Sequence, residues 1–157
     1  MRASEKSVWV LDTNTVMAVW VFEDPSLLVL RQALDGSLVR LATREDALEE
    51  LRRVLAYRQF KVPDGRQVEL LSQYSARCVA TPPAHEAAAM LPVCRDRDDQ
   101  KFLEIARDAG ASHLITRDKL LLKLARHRLI RPLYGIVTPE AMQAQWQAAR
   151  PIPHEVQ

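Results

Sequence analysis

Three carboxylates, Asp96, Asp98 and Asp99, open the stretch RDRDDQKFLEIARDAGASHLITRD at residues 95–118, and another, Asp118, closes it. A further acid, Asp12, directly follows the apolar run Val8-Trp9-Val10-Leu11. Carboxylates gathered within a few ångströms repel one another, and without partners some are protonated at neutral pH. A hard divalent cation such as Mg²⁺ or Mn²⁺ removes that penalty, because it prefers oxygen ligands. Such an ion lowers the pKa of water and stabilises charge on a phosphoryl oxygen, and a pair of ions holds both the attacking and the leaving oxygen. Phosphodiester hydrolysis is the reaction class this chemistry suits. Thr13, Asn14 and Thr116 stand beside these acids as neutral hydrogen-bonding groups.

These acids are far apart in sequence, so secondary structure has to gather them. Phe102, Leu103, Ile105, Ala106 and Ala109 recur at helical intervals and predict a helix over about residues 99–109. Asp96 or Asp98 can accept from the free amides of its first turn, and Gly110 stands where a left-handed residue ends a helix. The apolar run at residues 113–116 then reads as a strand. In an α/β layer a helix runs antiparallel to the parallel strands. The start of this helix and the end of the next strand therefore lie at the carboxyl edge of the sheet, where open α/β sheets place their sites. That puts Asp99 beside Asp118, and Asp12 joins them if residues 8–11 form a parallel neighbour. On the helix expected from Arg44 to about Tyr57, capped by Thr43, Glu50 borders the apolar stripe between Ala47 and Val54, whereas Glu49 points to solvent. Glu50 is the site candidate of the two. It lies roughly 10 Å along that helix from its start, so the helix must lean over the strand ends.

The rest of the chain alternates in the same way. A helix starts at Asp24-Pro25 and runs to Gly36, a strand covers residues 38–42, and Val68, Leu71 and Tyr74 mark another helix. A weak strand follows at residues 78–80, and a short helical piece at residues 87–91 is stopped by Pro92. Helices over residues 119–127 and from Thr138 to about Ala149 flank a last strand at residues 134–137. Val16 to Phe22 is apolar throughout, so a short helix and continued core fit it equally. About five strands alternating with helices predict an α/β fold with a mostly parallel sheet and helices on both faces. The 157 residues suffice for one domain, expected over residues 1–150 with a frayed tail at residues 151–157. Net charge of +2 permits a nucleic-acid partner without demanding one. Cys78 and Cys94 are far apart and outside any CxxC, which suits free thiols in a reducing compartment. Asp12 and Asn14 interrupt the N-terminal apolar run, no stretch is long enough to span a bilayer, and a cytoplasmic protein without a membrane partner is expected.

Plainer roles compete for these residues. Asp96 and Asp98 can be helix caps and nothing more. Glu49 fits an ordinary solvated face. Arg44, Arg52, Arg53, Arg58 and Lys61, with Arg117 and Lys119 near the last acid, can grip an RNA backbone or simply face water.

With these residues placed, the chain resembles the PIN-domain family, in the branch of toxin components of toxin–antitoxin pairs. The similarity rests on VWVLDTNTV, EELRRVL, CRDRDDQKFLEIARDAGASHLITRD and IVTPEAM, in this order, over roughly residues 8–142. It implies a three-layer α/β/α sandwich on a five-stranded parallel sheet and a Mg²⁺- or Mn²⁺-dependent ribonuclease with one or two ions. The family's four acids fall on Asp12, Glu50, Asp99 and Asp118, with Asp98 as an additional acid and Thr13, Asn14 and Thr116 on small polar positions. The helix-face reading and the resemblance select Glu50 independently. The resemblance also implies RNA as substrate, a cognate antitoxin protein and a homodimer. Two positions depart from the branch: Arg97 replaces a frequent proline, and Leu120 stands where a further acid is often found. The latter weakens the case for a second ion.

Two other readings remain open at the level of sequence. A non-catalytic PIN-like module could bind RNA or a partner on the same fold. An aspartate-nucleophile phosphohydrolase would also place an Asp after the first strand, but usually carries a second Asp two residues on; here that position is Asn14.

Overall fold

A computed structural model describes residues 7–150; the expected frayed tail lies outside the described residues. Five strands, β1 (Ser7–Leu11), β2 (Val39–Thr43), β3 (Cys78–Ala80), β4 (His113–Ile115) and β5 (Gly135–Val137), form one all-parallel sheet in the order β3-β2-β1-β4-β5. The helices between them are α1 (Thr13–Val16), α2 (Leu28–Asp35), α3 (Glu45–Leu55), α4 (Asp64–Arg77), α5 (Gln100–Asp108), α6 (Lys119–Lys123) and α7 (Pro139–Ala149). The fold is α/β, as the alternation of strands and helices predicts.

Side chains alternate across a strand, and the core divides accordingly. Trp9, Leu11, Leu41 and Ile115 face one core, shared with residues of α1, α2, α4 and α7. Val10, Ala42, Leu114 and Ile136 face the other, shared with α5 and α6. Helix α3 reaches both: Leu51 and Leu55 pack in the first core and Ala47 in the second. A helix that touches both faces crosses the strand ends, which is the lean Glu50 requires.

The caps follow local chemistry in most places. Asp24 accepts from the Ser26 amide at 2.9 Å ahead of Pro25, Thr138 Oγ1 accepts from the Ala141 amide at 3.0 Å, and Asp96 accepts from the Asp98 amide at 3.0 Å. Gly110 has φ of 64°, the left-handed conformation that favours glycine. Three expectations need correction. Thr43 belongs to β2, and the residue ahead of α3 is Arg44, in extended backbone with no side-chain cap. Residues 87–91 are not helical; Arg107 holds the segment by donating to the Ala89 carbonyl at 3.0 Å. Val68 is 70% exposed, and α4 buries Leu70 together with the expected Tyr74. The undecided run after Asp12 is α1 followed by a wider π-turn over Met17–Val21.

Candidate active site

Strand β1 ends beside β4, with Leu11 opposite Ile115, and the Asp12 amide extends the pairing by donating to the Ile115 carbonyl at 3.3 Å. Asp12 then becomes the N-cap of α1: one carboxylate oxygen accepts from the Thr15 amide at 2.9 Å. The other accepts from Thr116 Oγ1 at 2.5 Å. Thr116 is fully buried, and the same hydroxyl accepts from the Asp118 amide at 2.9 Å, so one threonine sets the spacing of two acids. Asp118 in turn caps α6, accepting from the Leu120 and Leu121 amides at 2.8 and 3.2 Å.

An open cleft of about 290 Å³ lies at this edge of the sheet, lined by Asp12, Thr13, Asn14, Glu50, Arg53, Val54, Tyr57, Asp96, Asp98, Asp99, Phe102 and Asp118. Asp12, Glu50, Asp99 and Asp118 therefore share one surface, together with Thr13, Asn14 and the additional acid Asp98. Thr116 lies beneath it. Glu50 accepts from Thr13 Oγ1, and its other oxygen lies 2.7 Å from the Lys101 ammonium. Glu49, on the outer face of the same helix, pairs with Arg52.

The cations expected to grip a backbone divide. Arg53 lines the cleft and Lys119 is exposed at the start of α6. Arg44 is engaged by Asp46 and by Glu104 at 2.9 Å, and Arg117 by Glu140 and by Asp24 at 3.0 Å, so neither lines the cleft.

The electrostatics follow from this crowding. Only 4% of Asp12 is exposed, and burial raises its pKa, opposed by the hydrogen bonds from Thr116 and Thr15. Burial, and then the charges of Asp118 and Asp96, push the Asp99 carboxyl up from 3.8 to about 7. Among the described residues, Asp99 Oδ2 is the buried side-chain oxygen left without a hydrogen-bond partner. A buried polar atom in that state needs an explanation, such as a proton or an ion that completes it.

A sequence model of the PIN domain matches residues 8–120, most of the chain and every acid of the cleft. The chain belongs to the PIN-domain family. No curated protein matches it. PIN domains have a nuclease-type fold, are typically nucleases and generally use divalent metal ions.

The residues of this PIN domain fit such an ion in part. The donors are all carboxylate oxygens, the ligands that hard cations take. Asp99 Oδ2 is unpartnered, and a positive ion would relieve the repulsion acting on Asp99. Against this, no group of three or more His, Cys, Asp or Glu among the described residues is already spaced to hold a metal. Asp12, Asp99 and Asp118 do not yet have that spacing, and Glu50 is already paired with Lys101. The sequence reading did not single out Lys101. It is the second residue of α5, and nothing in the sequence marks it, because its partner Glu50 lies on α3.

Proposed function

We propose that this PIN domain is a metal-dependent endoribonuclease that hydrolyses phosphodiester bonds of single-stranded RNA. The observation that carries the reading is the unpartnered, buried Asp99 oxygen in a cleft shared by Asp12, Glu50 and Asp118. Asp12, Asp99 and Asp118 would hold Mg²⁺ or Mn²⁺, with Glu50 joining once Lys101 moves away. When bound, the ion supplies positive charge to a phosphoryl oxygen and lowers the pKa of water.

The chain's own groups do the rest. Thr116 fixes the Asp12 carboxylate and the Asp118 backbone, while the Leu120 and Leu121 amides hold the Asp118 carboxylate, so neither acid needs to reorganise. Asp99, its pKa held up near neutrality while no ion is bound, would release its proton as it takes one up. Arg53 meets a phosphate from the wall of the cleft. The test is metal-dependent cleavage of an unstructured RNA by purified protein, repeated with Asp12→Asn. Equal activity in the variant would remove this site from the reaction.

The toxin role, the cognate antitoxin and the homodimer are part of the same proposal. They rest on the four sequence pieces shared with that branch. A small neighbouring gene whose product blocks cleavage on co-expression supports them; a protein that cuts RNA yet leaves growth unaffected when expressed alone argues against them.

One observation favours the non-catalytic module. The Lys101–Glu50 pair at 2.7 Å supplies a built-in cation where a metal would otherwise balance charge. RNA binding without metal uptake in calorimetry would decide for it. The aspartate-nucleophile reading is disfavoured: Asn14, which lines the cleft, stands where a second Asp would act as general acid.

A further inference from the structure

One wall of the acidic cleft is a single face of α3 and its exit. Glu50, Arg53, Val54 and Tyr57 follow one another at helical spacing and all line the cleft. Tyr57 is 46% exposed, too open for a core aromatic. Its ring stacks on Phe60 at 6.0 Å between centroids with a 29° interplanar angle, and Phe60 meets Phe22 edge-on at 5.2 Å. Phe60 is anchored on the core, whereas Phe22 is 52% exposed. The chain is bent sharply to present this row. Phe22 follows the π-turn, and Glu23 and Lys61, directly after Phe22 and Phe60, adopt φ of 48° and 53° without being glycine. Arg53 lines the cleft, Arg58 and Lys61 are exposed beside Tyr57 and Phe60 in the chain, and none of the three forms an ion pair among the described residues.

An exposed aromatic row, continuous with an acidic cleft and edged by cations, combines the two elements that bind single strands: rings on which bases stack and charges that follow the backbone. Seven residues separate Glu50 from Tyr57, roughly 10 Å along a helix. A phosphodiester at the acids thus leaves Tyr57 within reach of a neighbouring base but not of the scissile bond. We propose that Tyr57, backed by Phe60, is a stacking subsite for an unpaired base of single-stranded RNA whose phosphodiester lies in the acidic cleft. This deepens the ribonuclease reading and rests on it. It also supplies a preference for single strands, because a base held in a duplex has no free face to offer.

The experiment compares two fluorescent strands, an unstructured RNA and the same length of abasic phosphate–ribose backbone. Each is titrated by anisotropy against the full chain in Mg²⁺ on an Asp12→Asn background. Replacing Tyr57 with Ala should weaken binding of the base-bearing strand about 5- to 100-fold, the range for loss of one stacked base. Binding of the abasic strand should be unchanged, and Tyr57→Trp should restore the affinity. Circular dichroism and the exposed Val68→Ala variant, outside the row and the cleft, control for folding. Equal loss for both strands, or no loss for either, overturns the proposal. So does a change confined to sedimentation, which would make the row a contact surface for a second copy. Strand cleavage by the unsubstituted protein is scored separately. Cleavage without the base-dependent difference rejects the subsite alone, and base-dependent binding without cleavage rejects the nuclease.

Discussion

Replacing Asp99 by Asn should make the protein more stable while destroying its activity. The folded-state pKa of Asp99 is raised from 3.8 to about 7 by burial first and by Asp118 and Asp96 next. The folded protein therefore binds this proton more tightly than the unfolded chain does. Its stability falls as pH rises from about 4 to about 7, and the deficit is complete above that range. At about 1.4 kcal/mol for each tenfold change in proton affinity, the ceiling is about 4 kcal/mol. Asp99 is only half-buried, so solvent screens much of this. A surviving effect of about 1–2 kcal/mol corresponds to a rise in Tm of about 3–6 °C for a chain of this size. Thermal melts of both proteins in EDTA at about pH 8 and about pH 5 should show the larger gain at the higher pH. Adding Mn²⁺ should raise the Tm of the wild type more than that of the variant. A variant no more stable than wild type at about pH 8 would refute the reasoning, because Asp99 would then not be under electrostatic stress.

Further outcomes follow from the same geometry. Thr116→Val should lower metal affinity or turnover by about 10- to 100-fold, as loss of a group that orients metal ligands does. It also leaves an Asp12 oxygen and the Asp118 amide unpaired, at a cost of about 1–3 kcal/mol in denaturant melts. Glu50→Gln should lose RNA cleavage, whereas Glu49→Gln should retain both cleavage and Tm; identical behaviour of the two would put α3 in the wrong orientation. Lys101→Met should tighten Mn²⁺ binding in calorimetry by freeing Glu50, and weaker binding would mean that the ammonium supports the site. Apparent metal affinity should fall about tenfold for each pH unit below about 7, because the ion must displace the Asp99 proton.

The sequence carried the sheet and most of the cleft because those features are local. Asp12 sits directly after a buried run, Asp118 after another, and their shared edge follows from strands and helices alternating. Glu50 was separable from Glu49 because the two point about 100° apart on a helix. What could not be read depended on contacts between distant residues. The residues 87–91 carry helix-forming alanines, yet they are not helical, and Arg107, eighteen positions on, takes the Ala89 carbonyl. Val68 looked like a core position beside Tyr74, but the neighbours of α4 select Leu70 with that tyrosine. The π-turn over Met17–Val21 lies in a run that is apolar on every side, where periodicity has nothing to discriminate. Lys101 was invisible as a site residue, since only the approach of α5 to α3 brings its ammonium to Glu50. Tyr57 and Phe60 become a feature only once Phe22, from a distant segment, packs against Phe60.

The hydrogen bond from Thr116 to Asp12 joins residues 104 positions apart, across the pairing of β4 with β1. While the ribosome is still making the chain, β1 and α3 emerge long before β4 exists to meet them. Whatever chemistry the cleft performs, a nascent polypeptide cannot perform it until residues as far as 118 are free to fold. The protein is thus silent until translation has passed residue 118.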